Sequence, residues 1–208
     1  MGYLWTYRTG ENVQMTTYDN VPHEQWMNGL DSMDRWNITH ILALFARTDV
    51  PPIYLDVGCG NGRMVKTARQ LGSEAYGVDQ LVEDSWEPYF FHKNLVDYFE
   101  LPDGKKANIV TCIEVAEHIH ESAHATLCDT LCNNLAPGIE NYLVFCAARP
   151  GQDGTGHIAC RPAHYWAQEF IMRGLTANDG MTMNISLLWS RINSPLNYFS
   201  DNVFVFHK

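Results

Sequence analysis

The run Ile53-Tyr54-Leu55-Asp56-Val57-Gly58-Cys59-Gly60-Asn61-Gly62-Arg63 constrains this chain more than any other stretch. Its four apolar residues, behind Pro51 and Pro52, read as a strand buried on both faces, the habit of a parallel sheet. Three glycines at alternate positions then permit positive φ angles and close approach of the backbone to a ligand. Met64 to Leu71 continues as a helix, whose free N–H groups point back at the same crevice. Strand, turn and helix start in this order belong to an open α/β sheet, which binds ligands beyond the carboxyl ends of its strands.

Glycine turns at a first strand tip serve nicotinamide, flavin and S-adenosylmethionine (SAM) alike. Asp56 separates these cases. A carboxylate beside a pyrophosphate would be repelled, whereas the sulfonium and ammonium of SAM attract it. Asp56, Gly58, Gly60 and Gly62 resemble motif I of the class I SAM-dependent methyltransferases, acidic-x-Gly-x-Gly-x-Gly. The resemblance implies a Rossmann-like α/β domain: a seven-stranded, mostly parallel sheet with helices on both faces and a reversed last strand. It also implies SAM as cofactor, with Asp56, Gly58, Cys59, Gly60 and Gly62 around its methionine end.

With 208 residues, one domain is expected, residues 1–50 forming an arm and helical lid and residues 51–208 the core. The formal charge of −10, with only 14 Lys and Arg in the chain, argues against a broad nucleic-acid face, since phosphate contacts need those residues. No run approaches the roughly 18 apolar residues of a membrane span. Six cysteines, four of them inside apolar runs, read as reduced thiols of a cytoplasmic protein. Cys128 and Cys132 lack the second Cys/His pair that a zinc site needs. Oligomeric state is not legible.

In chain order, residues 1–22 read as a polar, aromatic arm. Trp26, Leu30, Met33, Ile38, Ile41, Leu42 and Phe45 recur at near-helical spacing, which predicts one or two amphipathic helices over 24–47. Tyr18, Trp26 or Trp36 either reach the cofactor from there or simply pack. Glu74 to Asp79 reads as the second strand. Asp79 lies 17 residues after Gly62, close to the separation of roughly twenty at which such folds set a carboxylate on ribose hydroxyls; the alternative is a helix N-cap. The family's motif II supports the ribose role, with Gln80 beside the adenine. Residues 81–92 form an aromatic helix or loop. At the third strand tip the family's adenine acceptor is Asn94, beside Leu95, or else Asp97; an amide oxygen can accept that bond as a carboxylate does.

Ala107 to Cys112 predicts a fourth strand running into Ile113-Glu114-Val115-Ala116-Glu117-His118-Ile119. That segment resembles the Glu-Val-x-Glu-His signature of a large branch of the superfamily. The resemblance leads toward the reacting methyl, with Cys112 and Ile113 lining the sulfonium side. If the segment is helical, Glu114, Glu117 and His118 share one face, and the two acids contact the substrate or cap the turn. Two families with this signature, the ubiquinone-pathway O-methyltransferases and the plant-type small-RNA 2′-O-methyltransferases, carry a metal. Many relatives need none, so no metal is expected here, with Mg²⁺ or Mn²⁺ as the alternative.

Asn141 to Ala148 predicts the fifth strand, leading into Arg149-Pro150-Gly151-Gln152-Asp153-Gly154-Thr155-Gly156-His157. Three glycines in six residues predict a mobile loop able to close over substrate. The block through Tyr165-Trp166 resembles a Pro-Gly-Gln-x-Gly-Thr-Gly-His…Tyr-Trp pattern in bacterial and phage methyltransferases. His157 is the first candidate for a general base and His118 the second; alternatively, His157 only latches the loop. Pro162 to Arg173 predicts a helix capped by Gly174. Asn184 to Trp189 and Asn202 to Phe206 predict the last two strands.

The expected function is methyl transfer from SAM to an oxygen or nitrogen of a small-molecule acceptor. Metal-assisted methylation of a nucleic acid or other macromolecule is the alternative within the class. A non-catalytic SAM-binding domain and a nicotinamide oxidoreductase are the alternatives outside it.

Overall fold

The computed structural model of the protein describes residues 4–6, 15–17, 37–45, 50–83, 85–192 and 198–208. Two short strands, β1 (Leu4–Thr6) and β2 (Met15–Thr17), pair antiparallel within the predicted arm. Tyr18, Trp26 and Trp36 lie outside the described residues. Residues 37–45 form helix α1, with Ile38, Ile41, Leu42 and Phe45 buried as the spacing predicts.

The main sheet has seven strands. β3 (Ile53–Val57) leads through the glycine turn into α2 (Arg63–Gln70), and β4 (Glu74–Asp79) and β5 (Phe90–His92) follow. β6 (Ile109–Ile113) is followed by α3 (His124–Asn134), β7 (Tyr142–Cys146) and α4 (Ala163–Met172). A two-residue strand β8 (Thr176–Ala177), helices α5 (Asp179–Ile192) and α6 (Tyr198–Asn202), and β9 (Val203–His207) complete the chain. The order across the sheet is β5-β4-β3-β6-β7-β9-β8. The first five of these neighbours are parallel, and β9 pairs antiparallel with both β7 and β8. This is the predicted α/β architecture with its reversed last strand.

Alternation along each strand divides the core into two layers. Leu55, Val57, Val110, Cys112, Leu143 and Phe145 face α3 and α4 and pack with Leu127, Leu131, Trp166 and Phe170. Tyr54, Ile109, Val144 and Cys146 face the other way, against α1, α2 and α5. β3 lies at the centre, with β4 on one side and β6 on the other. The strand order reverses there, the place at which open α/β sheets bind their ligands.

One predicted strand is a helix. Asn184 to Trp189 lies inside α5, where Ile185 and Trp189, four apart, are both fully buried. Asn178 starts that helix: its side-chain oxygen accepts from Met181 N at 3.0 Å, and its carbonyl from Thr182 N at 2.9 Å. The apolar residues of this stretch follow the helical period rather than alternation. All six cysteines are free, and five are buried. Among the described residues no helix is long and apolar enough to cross a membrane.

Candidate active site

The crevice is built on backbone. Gly58, Gly60 and Gly62 have φ of 84°, 52° and 74°. A side chain at Gly58 would strike Val115 and one at Gly62 the Phe90 ring, whereas Gly60 faces open space. The outer glycines thus pin the turn against Val115 after β6 and Phe90 at the start of β5, and the middle one offers bare backbone to a ligand. Val78 O accepts from Gly58 N at 2.8 Å and Cys59 N at 3.2 Å, tying the turn to β4.

Asp79, buried at the end of β4, accepts from Gly60 N and Leu81 N, each at 2.9 Å. Gln80 beside it is half-buried. At the next tip Asn94 is half-buried and accepts from Val96 N at 3.2 Å, Leu95 is buried, and Asp97 is exposed three residues on. Cys112 is wholly buried on the α3 side of β6, and Ile113 is half-buried on the opposite face. Glycine backbone, a carboxylate and an amide along one sheet edge fit an adenosyl ligand bearing an amino-acid end.

Asp56 is 5% exposed, and Thr111 Oγ1 donates to its Oδ1 at 2.7 Å. Sequence reading missed Thr111. The available signal was a hydroxyl inside the apolar run Ile109-Val110-Thr111-Cys112-Ile113.

A second cluster lies where β6 and β7 end. The helical reading of Glu114 to His118 is corrected: Glu114 has φ 55°, and only Ala116–His118 turns, as a short 3₁₀ segment. Glu114 N donates to Cys146 O at 2.8 Å, and its carboxylate accepts from Cys146 Sγ at 3.0 Å. Those bonds turn Glu114 toward β7 and into a backbone region that non-glycine residues rarely enter. It does not share a helix face with Glu117 and His118.

Glu117 is 0% exposed, and neither of its carboxylate oxygens has a partner at hydrogen-bonding geometry. Burial, reinforced by the neighbouring Glu114 carboxylate, pushes its carboxyl up to about 9. Burial raises Glu114 as well. His118 Nδ1 meets Gly156 O at 3.0 Å, and His157 Nδ1 meets Gln152 O at 3.1 Å. A carbonyl only accepts, so both Nδ1 atoms carry the proton and both Nε2 atoms present a lone pair. Burial pushes His118 down to about 4. His157 Nε2 lies 3.9 Å from Glu117 Oε1, and the two imidazole centroids are 5.1 Å apart. One acceptor atom from each of Glu117, His118 and His157 lies within 4.8 Å of the others.

The glycine loop holds this arrangement. Ile158 N and Ala159 N both donate to Glu117 O at 3.0 Å, and Asn202 Nδ2 donates to Gln152 Oε1 at 2.7 Å. Gly154 has no side chain where the His157 ring lies; any Cβ there would collide with it. The loop expected to be mobile is strapped to the turn carrying Glu117. Sequence reading proposed His118 and His157 separately; the fold joins them through Glu117, whose carboxyl lies beside that of Glu114.

The family described as "Methyltransferase domain" matches residues 32–176. No curated protein matches the chain. Many solved structures share its fold. A TehB-like SAM-dependent methyltransferase from Corynebacterium glutamicum superposes with TM-score 0.59 at 15% identity, over 89% of this chain and 96% of the other. A SAM-dependent methyltransferase from Archaeoglobus fulgidus gives 0.56 at 14%, over 88% and 96%. The 1,6-didemethyltoxoflavin-N1-methyltransferase of Burkholderia thailandensis, solved with 1,6-didemethyltoxoflavin and S-adenosylhomocysteine, gives 0.58 at 14%, over 96% of both chains.

Proposed function

This chain belongs to the methyltransferase-domain family, and we propose that it moves a methyl group from SAM to an oxygen or nitrogen of a small-molecule acceptor. SAM, when bound, supplies the electrophilic methyl on its sulfonium. Asp56 with Gly58, Cys59, Gly60 and Gly62 holds the amino-acid end, Asp79 and Gln80 the ribose side, Asn94 and Leu95 the adenine, and Ile113 lines the wall near the sulfur, while Cys112, buried on the other face of β6, packs behind it. The Burkholderia methyltransferase bound to S-adenosylhomocysteine supports the cofactor. The net charge of −10 supports a small acceptor over a polyphosphate.

One observation carries the reaction: the Nε2 lone pairs of His118 and His157 converge beside the buried Glu117 carboxyl. His157 takes the proton that the nucleophile loses, its tautomer fixed by the Gln152 carbonyl. His118 and the two carboxyls orient the acceptor. Release of S-adenosylhomocysteine from SAM, measured against panels of small phenols, alcohols and amines and against RNA and protein, tests this. Turnover with a small hydroxyl or amine is expected. Turnover confined to a macromolecule overturns the acceptor class.

A second reading is favoured by Glu117 itself, an unpartnered buried carboxyl beside two imidazole lone pairs. Once Glu117 gives up its proton, its carboxylate and the two imidazole lone pairs make three acceptors, a set that suits a cation. Glu117, His118 and His157 would hold a divalent metal, which polarises a hydroxyl of the acceptor. Two imidazoles in the set favour a transition-series ion such as Mn²⁺ over Mg²⁺. Loss of turnover in chelator, with recovery on adding Mn²⁺, selects this reading; turnover unchanged in chelator selects the metal-free base.

A further inference from the structure

We propose that Thr111, backed by Tyr54, is a positioning residue for the amino-acid end of the cofactor, acting through the Asp56 carboxylate. The inference rests on the SAM reading above and adds two residues to it.

Asp56 and Thr111 are partners in register across β3 and β6, so their side chains stand side by side on one face of the sheet. Tyr54 precedes Asp56 by two residues on β3 and shares that face. Tyr54 and Thr111 are both 0% exposed. The Tyr54 hydroxyl lies 2.7 Å from Thr111 Oγ1, which lies 2.7 Å from Asp56 Oδ1. A carboxylate only accepts, so Thr111 donates to Asp56. A hydroxyl has a single proton, so Thr111 must in turn accept from Tyr54. The chain is therefore directed, Tyr54 to Thr111 to Asp56, and each bond polarises the next.

Packing alone does not ask for this. Ile109 and Ile113 flank Thr111 at two-residue spacing on the same side of β6 and pack into an apolar cluster. Valine has the shape of threonine and would fill the site without a hydroxyl. The β-branched Thr111 is stiff about χ1, so its hydroxyl fixes where one Asp56 oxygen points. An ammonium drawn to Asp56 then meets a carboxylate that is already oriented, and no rotamer freedom is lost on binding.

The test is calorimetric binding of two probes to the purified full chain. S-adenosylhomocysteine carries the amino-acid end; 5′-methylthioadenosine keeps the adenosine and the thioether sulfur but lacks that end. Thr111→Val is expected to weaken S-adenosylhomocysteine about tenfold or more, the loss of a bond to a charged group, and to leave 5′-methylthioadenosine unchanged. Thr111→Ser should restore the first. In an Asp56→Asn background, Thr111→Val should cost nothing further. Equal loss for both probes, or no loss for either, overturns the positioning role. A wild-type chain that binds neither probe overturns instead the SAM reading on which the role rests.

Discussion

Glu117 ties the stability of the metal-free protein to pH. Its folded carboxyl keeps a proton up to about 9, while the ordinary value is 4.5. The folded state therefore binds the proton more tightly, and the stability this contributes is complete below 4.5 and is lost as pH rises through 9. His118 runs the other way. Depressed from 6.5 to about 4, it contributes stability above 6.5 that is lost as pH falls through 4. Between pH 6.5 and 8.5 the Glu117 effect is the one still changing. Glu117→Gln, which cannot ionise, should therefore melt at progressively higher temperature than wild type across that window in chelator; a constant difference would contradict the assignment. Sequence could name Glu117, His118 and His157 singly because each stands in a recognisable phrase. It could not join residues 40 apart, nor show that Glu114 is drawn off by a thiol of β7.

At the level of elements, legibility followed the strength of the local pattern. The glycine turn, β4 and α4 were readable because strand runs, acidic tips and a helix stop all agreed; α4 ends before Gly174, whose φ is 84°. Helix α5 reads as a strand in sequence because Asn-Ile-Ser-Leu-Leu-Trp mixes apolar and polar residues as a strand would; the opposing signal is the Asn178 cap six residues upstream. The 3₁₀ turn after β6 was misread because tertiary bonds from Cys146, rather than propensity, set Glu114. Packing between elements gives a prediction of its own. Trp166 on α4 is fully buried against Phe145 of β7 and His124 of α3, so it joins three elements beneath the candidate site. Trp166→Ala should cost about 3–5 kcal/mol, which is about 10 °C in Tm for a domain of this size. A melting temperature within a degree or two of wild type would show that this layer repacks.

For the whole molecule, the sheet gathers the candidate site residues along one edge. Parallel strands β5, β4, β3, β6 and β7 present their carboxyl ends together, so residues far apart in sequence come to one edge of the sheet. The reversed β9 closes the far side, and its neighbour Asn202 anchors the glycine loop through Gln152. Motif spacing made the sheet and the glycine turn at its centre legible; the cluster of Glu117, His118 and His157 depends on loop packing that no spacing encodes. The account stands on the cofactor, and titration calorimetry of the purified chain with SAM and S-adenosylhomocysteine tests it most directly. Both should bind wild type, and Asp79→Ala should weaken both about tenfold or more through loss of the ribose contacts; a wild-type chain that binds neither, or an Asp79→Ala variant with unchanged affinity, would contradict it.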